Sequence, residues 1–204
     1  MRLLRRAPTA GETRAFSRYL LLLLQWNRAH HLTGYRGSAE IAEKLFLDSL
    51  LFLEWVTPID GKLLDLGAGA GIPGVPMKIV EPRISLTLLE ARRRRSSFLA
   101  TVVRDLQLEG VRILYGRAEA LIAADGELLG TFDTVVTRAA GPPGSILPLA
   151  LAFLKPGGRV VASGPPPEKP LPRLPQEISH HWETVPAFGK IASRRFLIVE
   201  KKGD

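Results

Sequence analysis

Leu63-Leu64-Asp65-Leu66-Gly67-Ala68-Gly69-Ala70-Gly71-Ile72-Pro73-Gly74 is the stretch whose reading decides the fold. An apolar run carrying one acid breaks into a glycine-rich turn, and apolar residues resume at Ile72, Val75, Met77, Ile79 and Val80. The pattern predicts strand, tight loop and helix. Glycines let the backbone take positive φ and let a ligand approach with no Cβ in the way, while a helix start presents unpaired N–H groups. In outline this is a nucleotide-binding unit.

Two ligand patterns overlap in it. Gly69-Ala70-Gly71-Ile72-Pro73-Gly74 satisfies the dinucleotide fingerprint G-x-G-x-x-G, whereas Asp65-Leu66-Gly67-Ala68-Gly69-Ala70-Gly71 has the D-x-G-x-G-x-G shape of S-adenosylmethionine-binding loops. A glycine-rich turn without a ligand is the third reading, and the rest of the chain has to decide. From Lys62 onward strand-like and helix-like segments alternate, which predicts a parallel sheet wound with helices. The first strand ends at Asp65; the next are Ser85–Glu90, Val111–Tyr115 and Phe132–Thr137. Leu154-Lys155-Pro156-Gly157-Gly158 turns into a fifth, Arg159–Ser163, and two closing strands, near Thr184–Phe188 and Arg195–Glu200, pair antiparallel across Gly189-Lys190. The proline-rich stretch from Gly164 to Pro175 reads as a loop.

In open sheets of this kind ligands lie beyond the carboxyl ends of the strands. Glu90 ends the second strand, where a carboxylate accepts hydrogen bonds from both hydroxyls of a ribose. Asp65 ends the first and either steadies the glycine turn or faces the cationic end of a ligand. Ala118 and Glu119 follow the third, where an adenine edge would lie. The plainer alternatives are a solvated strand end for Glu90 and, for Glu119, an acid favoured by the helix dipole.

Upstream, Thr9-Ala10-Gly11-Glu12 has capping-box spacing and opens a helix running to about Arg28, with Phe16, Leu20 and Leu23 on one face and Arg14, Arg18, Gln25 and Arg28 on another. A second helix is expected from near Ser38 to Val56. Residues 1–58 therefore read as a helical cap, shaping a substrate mouth or simply covering a sheet face, ahead of a unit spanning 59–204. A chain of 204 residues with 46% hydrophobic content can bury one substantial core. It contains no cysteine, which removes disulfides and thiolate catalysis, and its four histidines form no helical metal pair, so no metal is expected. Arg2, Arg5 and Arg6 precede the apolar Leu20–Leu24, but the run is short and no cleavage site follows; nothing approaches a membrane span. A soluble, cytoplasmic monomer is the expectation. Lys+Arg of 28 against Asp+Glu of 20 gives a net charge of +8, which suits an anionic partner such as nucleic acid.

The order of several motifs resembles one family. Trp26-Asn27, Leu32-Thr33, Asp48-Ser49-Leu50, the glycine loop with its Gly71-Ile72-Pro73-Gly74 extension, Leu88-Leu89-Glu90, Arg117-Ala118-Glu119, Phe132-Asp133 with Arg138-Ala139, Pro156-Gly157-Gly158 and Arg195-Phe196-Leu197-Ile198-Val199 together resemble the glucose-inhibited division protein B family, the ribosomal small-subunit methyltransferase G. The resemblance implies a Rossmann-like α/β methyltransferase fold with a mostly parallel seven-stranded sheet behind an N-terminal helical cap. It also implies transfer of a methyl group from S-adenosylmethionine to N7 of a guanine in 16S ribosomal RNA, on the free RNA or the small ribosomal subunit. Carried across by residue, it places cofactor contacts at Gly67, Ile72, Ala118, Glu119 and Arg138, with Glu90 as the ribose acid and Asp65 and Gly69 completing the loop. Three positions depart from the family pattern: His31 stands where Asn is usual, Leu45 where His is usual, and Ser163 where Lys is usual.

The chemistry agrees with what is missing. Guanine N7 has an in-plane lone pair and no proton, so methylation there needs no general base. The Asn-Pro-Pro-aromatic motif of many enzymes that methylate exocyclic amines is absent from the end of the fourth strand, which reads Thr137-Arg138-Ala139-Ala140. Arg138 is expected to hold the cofactor carboxylate, to line the guanine pocket, or to make a structural ion pair. Arg92-Arg93-Arg94-Arg95 occupies a helix start, where the dipole disfavours cations. With Arg14, Arg18 and Arg28 these arginines form an expected basic rim for RNA phosphates, the alternative being a solvated face. An NAD-dependent dehydrogenase, a non-catalytic RNA-binding module and small-molecule methyl transfer remain as other readings.

Overall fold

The computed structural model describes residues 6–124, 126–138, 141, 143–164, 174–187 and 192–203. Residues 165–173 of the proline-rich stretch, Ala139-Ala140 and the Gly189-Lys190 turn lie outside them. Apolar runs bounded by turn residues form the strands β1 (Lys62–Leu66), β2 (Ser85–Glu90), β3 (Val111–Tyr115), β4 (Phe132–Arg138), β5 (Leu154–Ser163), β6 (Ile178–Val185) and β7 (Arg194–Lys201). They make one seven-stranded sheet in the order β3-β2-β1-β4-β5-β7-β6. The first five are parallel, and β7 lies antiparallel to both β5 and β6. Strand order reverses between β1 and β4, so their carboxyl ends diverge into the crevice where such sheets bind ligands. A dinucleotide-binding sheet runs parallel throughout in the order 3-2-1-4-5-6. The antiparallel β7 inserted beside β5 removes the dehydrogenase alternative.

Alternation along the strands divides the core. Leu63, Val136, Val161 and Ile198 face a layer containing α1 (Ala10–His30) and the helices from Gly74 and Arg93, whereas Leu64, Val135, Val160 and Val199 face the helices from Ala118 and Pro143. Cap side chains Tyr19, Leu23, Ile41 and Phe52 are buried in the same cluster as Val75, Leu86 and Phe98. The cap therefore packs into the sheet's own core instead of making a separate one.

Helix α1 starts as its capping box dictates: the Thr9 hydroxyl accepts from Glu12 N–H, and the Glu12 carboxylate accepts from Thr9 N–H. It ends at His31, whose left-handed φ of 48° lets its N–H close on the Asn27 carbonyl. The second cap segment is not the single α-helix expected over 38–56. It consists of α2 (Ser38–Ile41), a π-helical turn (Ala42–Leu47), α3 (Asp48–Leu50) and a 3-10 turn (Leu51–Trp55). Side chains serve carbonyls of the widened turn: Ser49 Oγ donates to Leu45, and Arg138 donates to Lys44 from across the sheet.

Two strand boundaries also differ from expectation. β5 starts at Leu154 because Pro156-Gly157 forms an irregularity inside the strand, with Gly157 at φ 76° and a register shift opposite Phe132–Thr134. β6 starts at Ile178, six residues before Thr184. Its polar His180-His181 masks the alternation, and pairing with β7 draws it into the sheet. The remaining helices are α4 (Gly74–Val80), α5 (Arg93–Asp105), α6 (Ala118–Ala123) and α7 (Pro143–Phe153).

Candidate active site

The glycine loop joins β1 to α4. Gly67, Gly69 and Gly71 take φ values of 76°, 59° and 86°. Gly67 and Ala68 both donate to the Leu89 carbonyl at 3.0 Å, fastening the loop to the end of β2. At Gly71 a Cβ would lie 2.7 Å from Val75 Cγ2 and 2.9 Å from the Tyr19 hydroxyl, so only glycine fits. Tyr19 is fully buried and donates to the Ala70 carbonyl, so the cap helix braces the loop from behind.

The two strand-end acids do different things. Glu90 is 4% exposed; its Oε2 accepts from Gly69 N–H at 2.8 Å and its Oε1 from Arg92 N–H at 2.7 Å. Both bonds use protein N–H groups, and each oxygen keeps a lone pair for a ligand hydroxyl. Asp65 does not line the crevice. It is fully buried under the loop, where Oδ2 accepts from Gly74 N–H at 2.8 Å and holds the start of α4. Burial raises its pKa to about 7, with the Gly74 N–H opposing the shift and the Glu90 charge adding to it. Of its two expected roles, the placement favours steadying the turn over meeting a ligand.

Beyond the loop lies a cavity of about 630 Å³, lined by Leu32, Thr33, Leu45, Gly67, Ala68, Gly69, Ala70, Ile72, Glu90, Ala91, Arg92, Arg95, Arg117 and Arg138. Five of the expected site residues meet there: Gly67, Gly69, Ile72, Glu90 and Arg138. Ala118 and Glu119 do not line it. Ala118 is buried in the second core cluster and Glu119 is exposed, while Arg117, the residue before α6, takes the place on the wall.

The arginine run divides by helical spacing. Arg92 and Arg95, three residues apart, face the cavity, and the exposed Arg93 and Arg94 do not line it. That spacing was legible in the sequence; which pair would face the loop was not. Of the other rim arginines, Arg18 is bound to Asp105 by two hydrogen bonds, at 2.6 and 2.8 Å, and so is engaged within the protein.

Arg138, at the end of β4, makes the structural ion pair that is one of its expected roles, and it also lines the cavity. Nη2 donates to the Lys44 carbonyl at 2.7 Å and lies 3.2 Å from Asp48 Oδ2, while Nη1 is buried without a partner among the described residues. Asp48, 1% exposed, is also bonded by Arg194 of β7. This triad clasps the cap to the sheet, and no motif spacing announced it, since Asp48 and Arg194 are 146 positions apart. Burial lowers the Arg138 pKa, and the charge of Asp48 opposes the shift. Of the departures from the family pattern, Leu45 lines the cavity, Ser163 pairs in register with Arg138, and His31 occupies the left-handed position that also suits Asn.

The residues present fit S-adenosylmethionine. A glycine loop at positive φ, a ribose-ready carboxylate and an unpartnered buried guanidinium nitrogen surround one cavity. Among the described residues no group of three or more His, Asp or Glu is placed to hold a metal ion, and no helix is long and apolar enough to cross a membrane.

Comparison with known proteins agrees with this geometry. The solved structure of the O-methyltransferase TomG from Streptomyces achromogenes, in complex with SAM, superposes with a TM-score of 0.59 at 16% identity over 97% of this chain and 92% of its own. TYW2 of M. jannaschii, in complex with AdoMet, gives 0.51 at 11% identity over 76% and 74%. At such identities the likeness concerns the fold alone. In sequence, the ribosomal RNA small subunit methyltransferase G of Alkalilimnicola ehrlichii is 35% identical over 189 residues, covering 92% of this chain and 83% of that protein. The protein of the same name from Caldanaerobacter subterraneus is 38% identical over 148 residues, 72% of this chain and 62% of its own length. The family model for rRNA small subunit methyltransferase G matches residues 12–182. With the family model matched over most of its length and a relative 35% identical over 92% of it, the chain belongs to the rRNA small subunit methyltransferase G family.

Proposed function

We propose that this chain transfers a methyl group from S-adenosylmethionine to N7 of a guanine in 16S ribosomal RNA, presented as RNA or within the small ribosomal subunit. The observation that supports the reading is the charge lining a single cavity: one acid, Glu90, against Arg92, Arg95, Arg117 and Arg138. S-adenosylmethionine carries a net positive charge, so arginines in this excess suit a second ligand that is a polyanion.

When bound, S-adenosylmethionine supplies a methyl group on a positively charged sulfur. Around it, Glu90 accepts from ribose hydroxyls, Arg117 on the wall and the free N–H at the start of α6 form the adenine side, and Arg138 Nη1 is available to a carboxylate. Gly67, Gly69 and Ile72 give close backbone approach and an apolar wall, and Asp65 holds the turn from below. Leu45 and Leu32, both buried, keep water from the side facing the cap. Because guanine N7 carries no proton, no side chain has to remove one before transfer. Among the described residues no histidine or lysine lines the cavity, which suits catalysis by alignment and exclusion of water.

The test is transfer of labelled methyl from S-adenosylmethionine to small-subunit particles and, separately, to deproteinised ribosomal RNA, both from cells lacking the modification, followed by digestion to nucleosides. Label in 7-methylguanosine is the expected result, and comparison of the two substrates tells which form is recognised. No label in either, with cofactor binding demonstrated, overturns the reading.

A further inference from the structure

A second cavity, of about 800 Å³, opens in the cap beside the first, and the two share Thr33 as a common wall. Its size falls within the range of about 300–1,000 Å³ typical of small-ligand sites. The last turn of α1 and the loop leading to α2 form it, through Asn27, Arg28, His31, Arg36 and Ser38. Among the described residues no carboxylate lines it.

The loop is held in shape by its own chemistry. Asn27, 9% exposed, donates from Nδ2 to the Tyr35 carbonyl at 2.9 Å and accepts Thr33 N–H on Oδ1 at 2.8 Å. Tyr35 N–H donates to Thr33 Oγ1 at 3.2 Å, and His31 N–H closes on the Asn27 carbonyl at 3.1 Å. Asn27 thus holds residues 31–35 in a ring, its carbonyl at His31 and its side-chain amide at Thr33 and Tyr35, with Arg28 and Arg36 standing outside it. Both arginines are exposed, and neither makes an ion pair among the described residues. The helix dipole accounts for Arg28, which sits in the last turn of α1, but not for Arg36, which lies beyond the helix, nor for the missing acids.

We propose that this second cavity is an RNA phosphodiester site, in which the guanidinium groups of Arg28 and Arg36 hold the backbone of the strand that passes its target base over Thr33 into the first cavity. The inference rests on the reading of the chain as an RNA-directed methyltransferase. Guanidinium forks match phosphate geometry. With Arg92, Arg95 and Arg117 on the far side of Thr33, cations meet the strand on both sides of the target nucleotide.

The test compares the Arg28→Gln/Arg36→Gln double variant with wild type. The control is Arg112→Gln, an exposed arginine that shares a pocket with Lys62 at the amino-terminal end of the strands, opposite the glycine loop. The probe is deproteinised small-subunit ribosomal RNA lacking the modification, bound over about 50–300 mM salt, and methylated at saturating cofactor. For the double variant the slope of log K against log salt is expected to fall by about 1.4, two phosphates at about 0.7 each for a single strand. KM for RNA should rise about tenfold or more with kcat retained, and cofactor affinity by calorimetry should stay at the wild-type value. A double variant with wild-type slope and KM, or an Arg112→Gln control that loses as much, overturns the site while leaving the functional reading intact. A wild-type chain that binds S-adenosylmethionine but takes up no RNA overturns both.

Discussion

On the sheet side of the cavity, polar groups are committed to one another: Gly67 and Ala68 donate to Leu89, Gly69 to Glu90, Arg92 N–H to Glu90, and Gly74 to Asp65. On the cap and rim side, the guanidinium groups of Arg28, Arg36, Arg92, Arg95 and Arg117 make no hydrogen bond or ion pair among the described residues. Backbone held at positive φ and acids anchored by backbone N–H groups give one rigid shape, which suits a small molecule of fixed dimensions. Long cationic side chains lose rotamer freedom only on contact and act through charge, which suits a repeating polyanion. The two sides should therefore respond to different perturbations.

The largest effect is expected where the rigid side has no room. Gly71→Ala combines a φ of 86° with a Cβ 2.7 Å from Val75 Cγ2. It should destabilise the fold by about 4 kcal/mol, read as a lowered denaturation midpoint. A variant that folds as well as wild type would show that the loop yields and that the contrast between the two sides is overstated.

Asp65 sets the next effect. Its pKa is raised from 3.8 to about 7, so the folded chain binds this proton more tightly than the unfolded chain does. Its contribution to stability is fully present below about pH 4 and is lost as pH rises to about 7, on the order of 4 kcal/mol in all. Asp65→Asn keeps an oxygen for Gly74 N–H and removes the titration. Denaturation curves across that window should show a flatter pH dependence in the variant; parallel curves would mean that the carboxyl titrates alike in both states.

Glu90→Gln and Arg92→Gln/Arg95→Gln separate the two sides by ligand. The first replaces an acceptor by an amide that faces an N–H donor at either end, and cofactor affinity should fall by about 2 kcal/mol, roughly 30-fold, with RNA binding unchanged. The second should weaken RNA binding about tenfold at low salt and less at high salt. Cofactor affinity should rise slightly, by about a few tenths of a kcal/mol, because two cations near a cationic ligand are gone. Calorimetry and filter binding on both variants check this crossing pattern; equal losses of both ligands in both variants would dissolve the distinction.

Much of the fold was legible because its determinants are local. The capping box at Thr9, the glycine turn, the alternation of apolar runs and Glu90 at a strand end follow from backbone preference, side-chain period and chain order. The unexpected features depend on partners remote in sequence. The π turn of the cap receives a donor from Arg138, 94 positions away, and Asp48 faces Arg194 from the far end of the sheet. Asp65 and Glu90 are both strand-end acids in sequence, and only packing put one under the loop and the other in the cavity.

By itself the sequence determined the succession of strands and helices, the loop able to receive a nucleotide, and the excess of positive charge, since each depends on residue type, spacing and count. The tertiary structure alone decided which acid meets a ligand, which two of four consecutive arginines face the cavity, and that Thr33 separates two neighbouring cavities. Burial and direction are set where distant segments meet, and no local pattern carries that information.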